Sequence, residues 1–405
     1  MKTLTLKIFL VVAAILTDAN WMSAQNTQDS IAVTAKLPQI SLLTIGPGDT
    51  YYLLEGHSAL RIKYDNGADI TANWGVFNFN EPNFGYRFVK GETDYSIGLE
   101  PTQPFLDWYV ASDRTVVEQP LNLTDAEVAT LLELIDENCL PQNRTYRYNY
   151  VLDNCATRPL GLIEKSLALN GDSLVINLPQ VNTSFRNEMR KYHVDNPGYQ
   201  LFIDYSLGSG IDRPINPRQQ AFAPVFLQEL AASAQVIDPD GNIRNLVDDT
   251  TTLYSRRSAP YREPFPNPVW FALAILLLAL YLTRRDRRRN KVSNWFDIIF
   301  YALLGVLGLL LAFLIFVSSH EATSPNFNFL WINPLCLIVP FLAGFRRCRK
   351  IVYCYQYLNI ALIIAYIVCI PFFRQAANPA LIILLLADFI RAENYISIYR
   401  KNRLL

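Results

Sequence analysis

The sequence predicts an α+β extracytoplasmic domain followed by an all-α membrane domain with five transmembrane helices. Three features indicate this architecture: a secretory signal at the N-terminus, a middle region in which short strand-like runs alternate with amphipathic helices, and a strongly apolar last third. We therefore divide the 405 residues into a signal peptide at 1–25, an extracytoplasmic domain at 26–262 and a membrane domain at 263–405.

The N-terminal signal has the parts of a secretory leader. Lys2 and Lys7 supply positive charge, Ile8–Leu16 is the apolar run, and Ser23 and Ala24 are small residues near a cleavage point. An uncleaved first membrane helix is the alternative, but the apolar run is much shorter than the roughly 20 residues that span a bilayer. Cleavage leaves the following domain outside the cytoplasmic membrane.

The middle region mixes strand and helix patterns. Thr124–Asn138 is the best-defined helix, because Thr124 and Glu127 form a capping box and apolar residues repeat on one face. A second helix is predicted at Leu160–Leu169, and the proline-rich stretch 255–268 is typical of a linker to the membrane. Strands are predicted at Ile40–Ile45, Ser58–Tyr64, Ile70–Phe79 and Thr115–Leu121.

The last third contains apolar runs at 269–282, 298–317, 334–345, 351–373 and 379–390. Arg and Lys are concentrated after the first and third runs and at the C-terminus, whereas the other two loops hold one positive charge, Arg374. This alternation is the positive-inside pattern, and it predicts five crossings with a cytoplasmic C-terminus. The third and fifth runs are short, so hairpins that do not cross are the alternative for either.

Composition and motifs exclude several function classes. Lys and Arg together number 36, as do Asp and Glu, so the net charge of zero gives no reason to expect nucleic-acid binding. The Cys and His spacing does not fit a zinc site, and the sequence has neither a phosphate-binding loop nor a dinucleotide fingerprint. We therefore predict neither a metal nor a cofactor.

Cys155 is the candidate nucleophile. It lies directly before a predicted helix, where the helix dipole and free N–H groups lower the pKa of a thiol and favour the thiolate. Arg158 adds positive charge, and Asn154 is a good cap residue. If Asn154 were the cap, Pro159 would remove a helical hydrogen bond. A tight turn at Cys155, with the helix beginning near Pro159, is the alternative.

His57 is the candidate base, at the start of a predicted strand. A three-residue hairpin loop would pair Leu60 with Ala72 on the next strand and put Asn73 diagonal to His57. Asn73 could then orient the imidazole, the third role in a Cys-His-polar triad. A two-residue Asn-Gly turn would move Asn73 to the other face of the sheet, and Asp69 is the second choice.

Other interpretations of the Cys and His residues remain open at the level of the sequence. Cys139 and Cys155 can form a disulfide in an oxidising compartment, which would remove the nucleophile. His57 can be an ordinary strand histidine, and His193 is expected at the surface.

His320 and Glu321 form a polar pair directly after the second apolar run, on the outer side. The pair can contact lipid head groups or a substrate amine, because aromatic residues further along the loop fit an interfacial belt. An ordinary solvated loop with aromatic anchors is the alternative.

Three segments, taken in order, resemble a known family. Gly56–Arg61 and Asn154–Arg158 resemble the periplasmic domain of the Lnb-type lipoprotein N-acyltransferases, and the outer loop from His320 to Pro334 resembles their transmembrane domain. The His-before-Cys order is also similar to the circularly permuted papain-like superfamily, in which the Cys begins a helix packed on a sheet that presents the His. The resemblance implies this thiol fold, with Cys155 as nucleophile and His57 as base.

The resemblance also implies an acyltransferase in a bacterial cytoplasmic (inner) membrane. Its partners would be a phospholipid acyl donor and a diacylglyceryl-modified lipoprotein, whose N-terminal amine takes the acyl chain from a Cys thioester in a ping-pong scheme. Asn154, Arg158, His320 and Glu321 are then expected to contact substrate. Two rival functions are a membrane-anchored cysteine peptidase or amidase acting on cell-wall peptides, and a non-catalytic membrane assembly protein.

Overall fold

The computed structural model describes residues 36–404, so the signal peptide predicted at 1–25 lies outside the described residues. The strands are β1 Gln39–Ile45, β2 His57–Lys63, β3 Asp69–Val76, β4 Asp94–Pro101, β5 Val116–Pro120, β6 Thr145–Arg147, β7 Ser173–Val175, β8 Thr183–Ser184, β9 Pro214–Ile215, β10 Gln235–Ile237, β11 Ile243–Asn245 and β12 Thr251–Tyr254.

The α-helices of residues 36–404 divide between the two domains. Those before the membrane domain are α1 Phe84–Lys90, α2 Thr102–Ala111, α3 Asp125–Cys139, α4 Thr157–Leu169, α5 Phe185–Tyr192, α6 Pro197–Ser206, α7 Pro217–Gln220 and α8 Pro224–Ser233. Those of the membrane domain are α9 Pro268–Arg289, α10 Asn294–Phe316, α11 Ile338–Leu342, α12 Arg349–Phe373 and α13 Pro379–Leu404.

A central antiparallel sheet organises the first domain. Within the described residues it has seven strands in the order β12-β5-β1-β2-β3-β4-β6. Helices α3, α4 and α8 cover one face, where Leu60, Leu131 and Ile163 lie in the main core. Helix α2 covers the other face through Phe105 and Tyr109. The α+β domain predicted from the sequence is confirmed.

The β2–β3 hairpin has the register predicted for a three-residue loop. Leu60 pairs with Ala72, and the backbone N–H of Tyr64 donates to the carbonyl of Ala68 at 2.8 Å. The apolar side chains of both strands therefore reach the same core face, since side chains alternate between the faces of a sheet. In this register Asn73 lies on the same face of the sheet as His57.

The predicted element boundaries are close to those observed. Three of the four predicted strands end within one residue of the structure, whereas β3 stops at Val76 rather than Phe79. The capping box is present, because Thr124 and Glu127 exchange backbone-to-side-chain hydrogen bonds of 2.6 and 3.3 Å. Helix α4 begins at Thr157, so Pro159 is its third residue and its missing N–H removes no helical hydrogen bond.

Among the described residues, three helical stretches are long and apolar enough to cross a membrane: Pro268–Arg289, Asn294–Phe316 and Arg346–Phe372. Helix α13 carries more charged residues but packs along α9 and runs parallel to it. Asn378, just before α13, donates to Asp204 at 2.9 Å, and Asn402 near its end donates to the carbonyl of Asn290 at 3.4 Å. The end of α13 therefore lies on the same side as the basic end of α9.

The third apolar run is a broken segment rather than one long helix. A 3₁₀ turn at Pro334–Leu337 leads into the short α11. The segment runs antiparallel to α10, because Thr323 donates to the carbonyl of Leu314 at 2.7 Å and the carbonyl of Ala343 accepts from Asn294 at 3.4 Å. Irregular backbone of this kind is compatible with a membrane only where protein buries it. Five full crossings remain a prediction.

The first domain is hydrogen-bonded directly to the loop that follows α10. The N–H of Gly208 donates to the carbonyl of Ala322 at 2.8 Å, and the N–H of Ser209 donates to the carbonyl of Pro325 at the same distance. The hydroxyl of Tyr205 donates to the carbonyl of Leu307, inside α10, at 2.5 Å. These bonds hold the sheet domain against one end of the membrane helices.

Candidate active site

Cys155 lies on the tight turn that leads into α4. The side-chain oxygen of Asn154 accepts hydrogen bonds from the backbone N–H groups of Ala156 and Thr157, at 2.8 and 2.9 Å. These bonds satisfy donors that a helix start leaves free, and they hold Cys155 at the positive end of the helix dipole. The tight turn is therefore observed, and Cys155 is only 7% exposed.

The thiol of Cys155 and the imidazole of His57 are neighbours, and each shifts the pKa of the other. Ser58, the next residue on β2, interacts with Cys155 through both its side chain and its backbone. Its hydroxyl donates to the carbonyl of Cys155 at 2.8 Å, and its backbone N–H helps to lower the pKa of the Cys155 thiol. The sheet thus presents the imidazole to a thiol at a helix start, as the resemblance implied.

Electrostatics favour the thiolate–imidazolium form of this pair. Burial by itself raises the pKa of Cys155, but the charge of His57 and hydrogen bonds from His57, Ser58 and Tyr148 outweigh it and lower that pKa. Burial by itself lowers the pKa of His57, but the Cys155 thiolate and the hydrogen bond to Asn73 raise it. Each charge stabilises the other, which favours the thiolate form of the candidate nucleophile.

Asn73 orients the imidazole. Its Oδ1 lies 2.6 Å from Nε2 of His57, and its Nδ2 donates to Glu100 at 3.2 Å, which fixes the direction of the amide. Nε2 must therefore carry a proton, which leaves Nδ1 for the thiol. Asp69, the second choice for this position, is instead paired with Arg61 at 2.6 Å.

Tyr148 and Gly75 complete the surroundings of the sulfur, and neither is apparent from the sequence. The hydroxyl of Tyr148 helps to lower the pKa of Cys155, and both residues lie within 4 Å of a Cβ placed on Gly75. Gly75 interrupts the β3–β4 register with a φ of +90°, and a Cβ there would lie 3.8 Å from the Cβ of Cys155. The bulge bends the strand beside the thiol, a position where bulges commonly redirect side chains.

A buried cation lies behind the imidazole. The ring of Tyr109 stacks on His57 with centroids 6.2 Å apart, and the guanidinium of Arg114 lies 5.0 Å from the Tyr109 centroid. Nε of Arg114 donates to the carbonyl of Gly46 at 2.9 Å. This positive charge attracts the Cys155 thiolate and moderates the raised pKa of His57.

Two domain descriptions of one family match the chain. The Lnb N-terminal periplasmic domain matches residues 26–183, and the Lnb transmembrane domain matches residues 261–402. The chain belongs to the Lnb family. Neither a curated protein nor a solved structure matches it.

Membership in the Lnb family assigns one half of the chain to a periplasmic domain and the other half to a transmembrane domain. The first match contains Cys155, His57 and Asn73, and the second contains the loop with His320. An Lnb protein with a periplasmic domain joined to a transmembrane domain is an inner-membrane protein, and the family indicates an acyltransferase-like enzyme. The relationship to the permuted papain-like fold stays a prediction.

The polar side-chain groups of Asn154 and Arg158 are bonded to other residues of this Lnb protein. Nδ2 of Asn154 donates to the carbonyls of Tyr150 and Phe222, both at 2.9 Å, so both donors and the oxygen of its amide are occupied. Arg158 is paired with Asp153 at 2.5 Å. We therefore infer that these two residues shape the turn around the nucleophile rather than contact substrate.

His320 and Glu321, in the outer loop, contact two different parts of the Lnb periplasmic domain. Nε2 of His320 donates to the carbonyl of Phe88 at 2.7 Å, at the end of α1. Glu321 accepts from Nδ2 of Asn149 at 3.3 Å, in the loop that leads to Cys155. Glu321 and Asn149 border a mostly apolar cavity of about 340 Å³, lined also by Val151, Leu152, Phe185, Gly210, Ile211, Arg213 and Ala322.

One expectation about the other Cys and His residues was wrong, and one alternative is excluded. His193 is buried at 1% exposure, and its Nε2 lies 2.7 Å from Glu55, whose carboxylate removes the cost of burying a polar ring. Cys139 and Cys155 are both free thiols, so the disulfide alternative does not hold. The nucleophile remains available.

Proposed function

We propose that this Lnb-family protein transfers a fatty acyl chain from a phospholipid to the N-terminal amine of a diacylglyceryl-modified lipoprotein. The observation that carries the proposal is the Cys155–His57 pair, held on a domain that is hydrogen-bonded to the periplasmic ends of the membrane helices. A thiolate in this position suits two lipid-borne substrates, because both reach it laterally from the bilayer.

In the first half-reaction the Cys155 thiolate attacks the ester carbonyl of the phospholipid. The hydroxyl of Tyr148 and the N–H of Ser58 both help to lower the pKa of the thiol, so they are the candidates to donate to the oxyanion that forms beside the sulfur. Collapse of the tetrahedral intermediate breaks the ester C–O bond. His57 gives its proton to the leaving alkoxide, which leaves a lysophospholipid and a thioester on Cys155.

In the second half-reaction the lipoprotein amine attacks the thioester. His57 is now neutral and takes a proton from the amine as the new C–N bond forms. The C–S bond then breaks, and the thiolate–imidazolium pair is restored together with an amide product. Asn73 keeps Nδ1 directed at the reacting atoms in both halves, since its own bond is made to Nε2.

Glu321 is the residue of the outer loop that we assign to the acceptor. Its carboxylate borders the cavity next to the loop that carries Cys155, and a carboxylate attracts the protonated N-terminus of a lipoprotein, which releases one proton to solvent before the neutral amine attacks the thioester. We infer that His320 acts indirectly, by holding α1 in place. The five crossings and the cytoplasmic C-terminus belong to the same proposal, and they put the active site on the periplasmic side.

Intact-mass analysis of the purified protein tests the proposal. After incubation with a phospholipid of defined chain length, the protein should gain the mass of one acyl chain. Cys155→Ala should abolish the gain, and Cys139→Ala should leave it unchanged. A synthetic diacylated lipopeptide should then remove the adduct and appear as a triacylated product.

Two results would contradict the proposal. A protein that never gains an acyl mass from any phospholipid is not this transferase. Loss of the adduct only as free fatty acid, with the lipopeptide unchanged, would indicate a thiol hydrolase of the kind considered among the rival functions.

A further inference from the structure

A row of aromatic rings connects the thiol to the outer ends of the membrane helices. The ring of Tyr148, which lies beside Cys155 across Gly75, packs on Tyr95 at 4.6 Å, and Tyr95 packs on Phe77 at 5.1 Å. Phe77 stacks on Phe84 at 5.8 Å, and Phe84 stacks on Phe88 at 6.0 Å. We call these five rings the aromatic row; none of them is fully buried.

Helix α1, which carries the last two rings of the row, is fastened to the loop after α10. The N–H of Ser319 donates to the carbonyl of Lys90 at 2.8 Å, and the hydroxyl of Ser318 donates to the carbonyl of Val89 at 2.9 Å. His320 donates to the carbonyl of Phe88 at 2.7 Å. The carbonyls of Val89 and Lys90 are ones that a helix end leaves without a helical partner, whereas that of Phe88 also accepts from the N–H of Gly91 at 3.0 Å. The membrane loop therefore completes the end of α1.

These contacts set the depth of α1 relative to the bilayer. Ser318 follows the last residue of the apolar helix α10, Phe316, by two positions. The ring of Tyr86, on the outward face of α1, lies 6.1 Å from Phe313, which belongs to the last turn of α10. Helix α1 therefore lies where α10 leaves the hydrocarbon region, at the level that aromatic side chains prefer in membrane proteins.

Exposed aromatic rings lie on two sides of α1. Tyr86 is 56% exposed on the side next to α10, where the ammonium of Lys90 lies 6.0 Å from the centroid of its ring. Phe88 is 49% exposed and lies with Phe84 and the exposed Phe79 on the side of the aromatic row. A cluster of large exposed aromatic residues indicates an interaction site. Because this surface continues the side of a transmembrane helix, its neighbour is lipid.

We propose that α1 inserts into the outer leaflet and that the aromatic row is the path by which one acyl chain of a phospholipid reaches Cys155. The proposal rests on the proposed function and adds its donor route. The occupant is an outer-leaflet diacyl phospholipid with its chain along Phe88, Phe84 and Phe77. The row then delivers the ester to the end marked by Tyr148, where the sulfur lies.

Photocrosslinking in native membranes tests the location of α1. Tyr86 is replaced by p-benzoylphenylalanine in the Cys155→Ala background, so that the result does not depend on catalysis. Irradiation should add the mass of a phospholipid to the intact protein.

The same replacement at Leu169 is the matched control, because Leu169 is 64% exposed but lies at the far end of α4, about 18 Å along the helix from its start near Cys155. A lipid adduct at both positions, or a protein adduct at Tyr86, would overturn the proposal.

A pair of acyl donors tests the path itself. In the Tyr86→Ser/Phe88→Ser variant, acylation of Cys155 by a long-chain phospholipid should fall about tenfold, because exposed rings no longer contact the chain. Acylation by water-soluble p-nitrophenyl acetate should change by less than about twofold, which also shows that the variant is folded.

Equal losses with both donors would refute the path. If phospholipid never acylates the unmodified protein but the Tyr86 adduct forms, the proposed transferase fails while the insertion of α1 stands. If the unmodified protein is acylated but the Tyr86 position gives no lipid adduct, the donor route fails and the transferase stands.

Discussion

His57 and Asn73 are joined across β2 and β3 by a hydrogen bond of 2.6 Å between Nε2 and Oδ1. The bond leaves Nδ1 of the imidazole for the thiol, and Glu100 holds the Asn73 amide so that its oxygen faces the ring. A neutral amide thus sets the orientation and the protonation of the proposed base.

Asn73→Ala should slow acylation of Cys155 by about ten- to hundredfold, because a hydrogen bond to a charged ring contributes about 1.5–3 kcal/mol. The loss should lie in kcat rather than KM. Since the bond to Asn73 helps to raise the pKa of His57, its removal should also move the basic limb of the pH–rate profile to lower pH. Glu100→Gln, which keeps an acceptor for the Asn73 amide, is the control. An unchanged profile in Asn73→Ala would exclude the orienting role.

Alkylation by iodoacetamide should report the ionisation of Cys155 directly. The pKa of Cys155 is lowered by His57, so the thiol should react at pH values where an ordinary cysteine is protonated. In His57→Gln the effect of burial is no longer opposed by the imidazolium, and the midpoint of the rate profile should move above the ordinary cysteine value. Cys139, whose pKa is raised by burial, is the internal control and should not respond to His57→Gln. An unshifted Cys155 midpoint in the variant would refute the ion pair.

The hairpin that carries His57 and Asn73 could be predicted because its pattern is local. Apolar residues alternate on both strands, so one register alone places Leu60 and Ala72 in the core. Tyr148 could not be predicted, because its approach to the sulfur depends on the three-residue strand β6 pairing with the distant β4. His193 was misjudged for the same reason, since its partner Glu55 is 138 positions away.

Helix α1 was also missed from the sequence. It has only seven residues, and a helix this short is not stable through its own hydrogen bonds. Its carbonyls bond Ser318, Ser319 and His320, which lie in the other domain. The seven residues of α1 therefore do not by themselves predict a helix.

Gly75→Ala should reduce activity more than its effect on folding explains. The φ of +90° disfavours any residue with a Cβ, and the new methyl group would contact Tyr148 at 3.5 Å and Cys155 at 3.8 Å. Gly67→Ala is the matched control, because its φ is +91° and its Cβ would contact nothing within 4 Å. Both variants should lose about 1–2 kcal/mol of unfolding free energy. Only Gly75→Ala should slow acylation, and equal rates for the two variants would exclude a role for the bulge.

Arg391→Leu should strongly destabilise the membrane domain. Its guanidinium is fully buried and bonds Asp297 at 2.6 Å and Asp286 at 3.0 Å, so its loss leaves two carboxylates buried without their cation. The expected cost is about 3–5 kcal/mol. Arg287→Leu is the control, because Arg287 pairs with Glu393 in the exposed part of the same bundle and should contribute at most about 1 kcal/mol. Thermal unfolding in detergent should separate the two variants, and similar midpoints would contradict the assignment.

The backbone bonds between Gly208, Ser209 and the loop after α10 have a consequence for how the protein matures. A newly exported polypeptide possesses the whole thiol-bearing sheet before its hydrophobic tail has been integrated. Until integration is finished, the carbonyls at the end of α1 and the amides at the end of α6 lack the partners that this loop provides. The first domain therefore completes its backbone hydrogen bonds only once the membrane helices are inserted, and a fragment released at the proline-rich linker would lack the partners of α1 and α6.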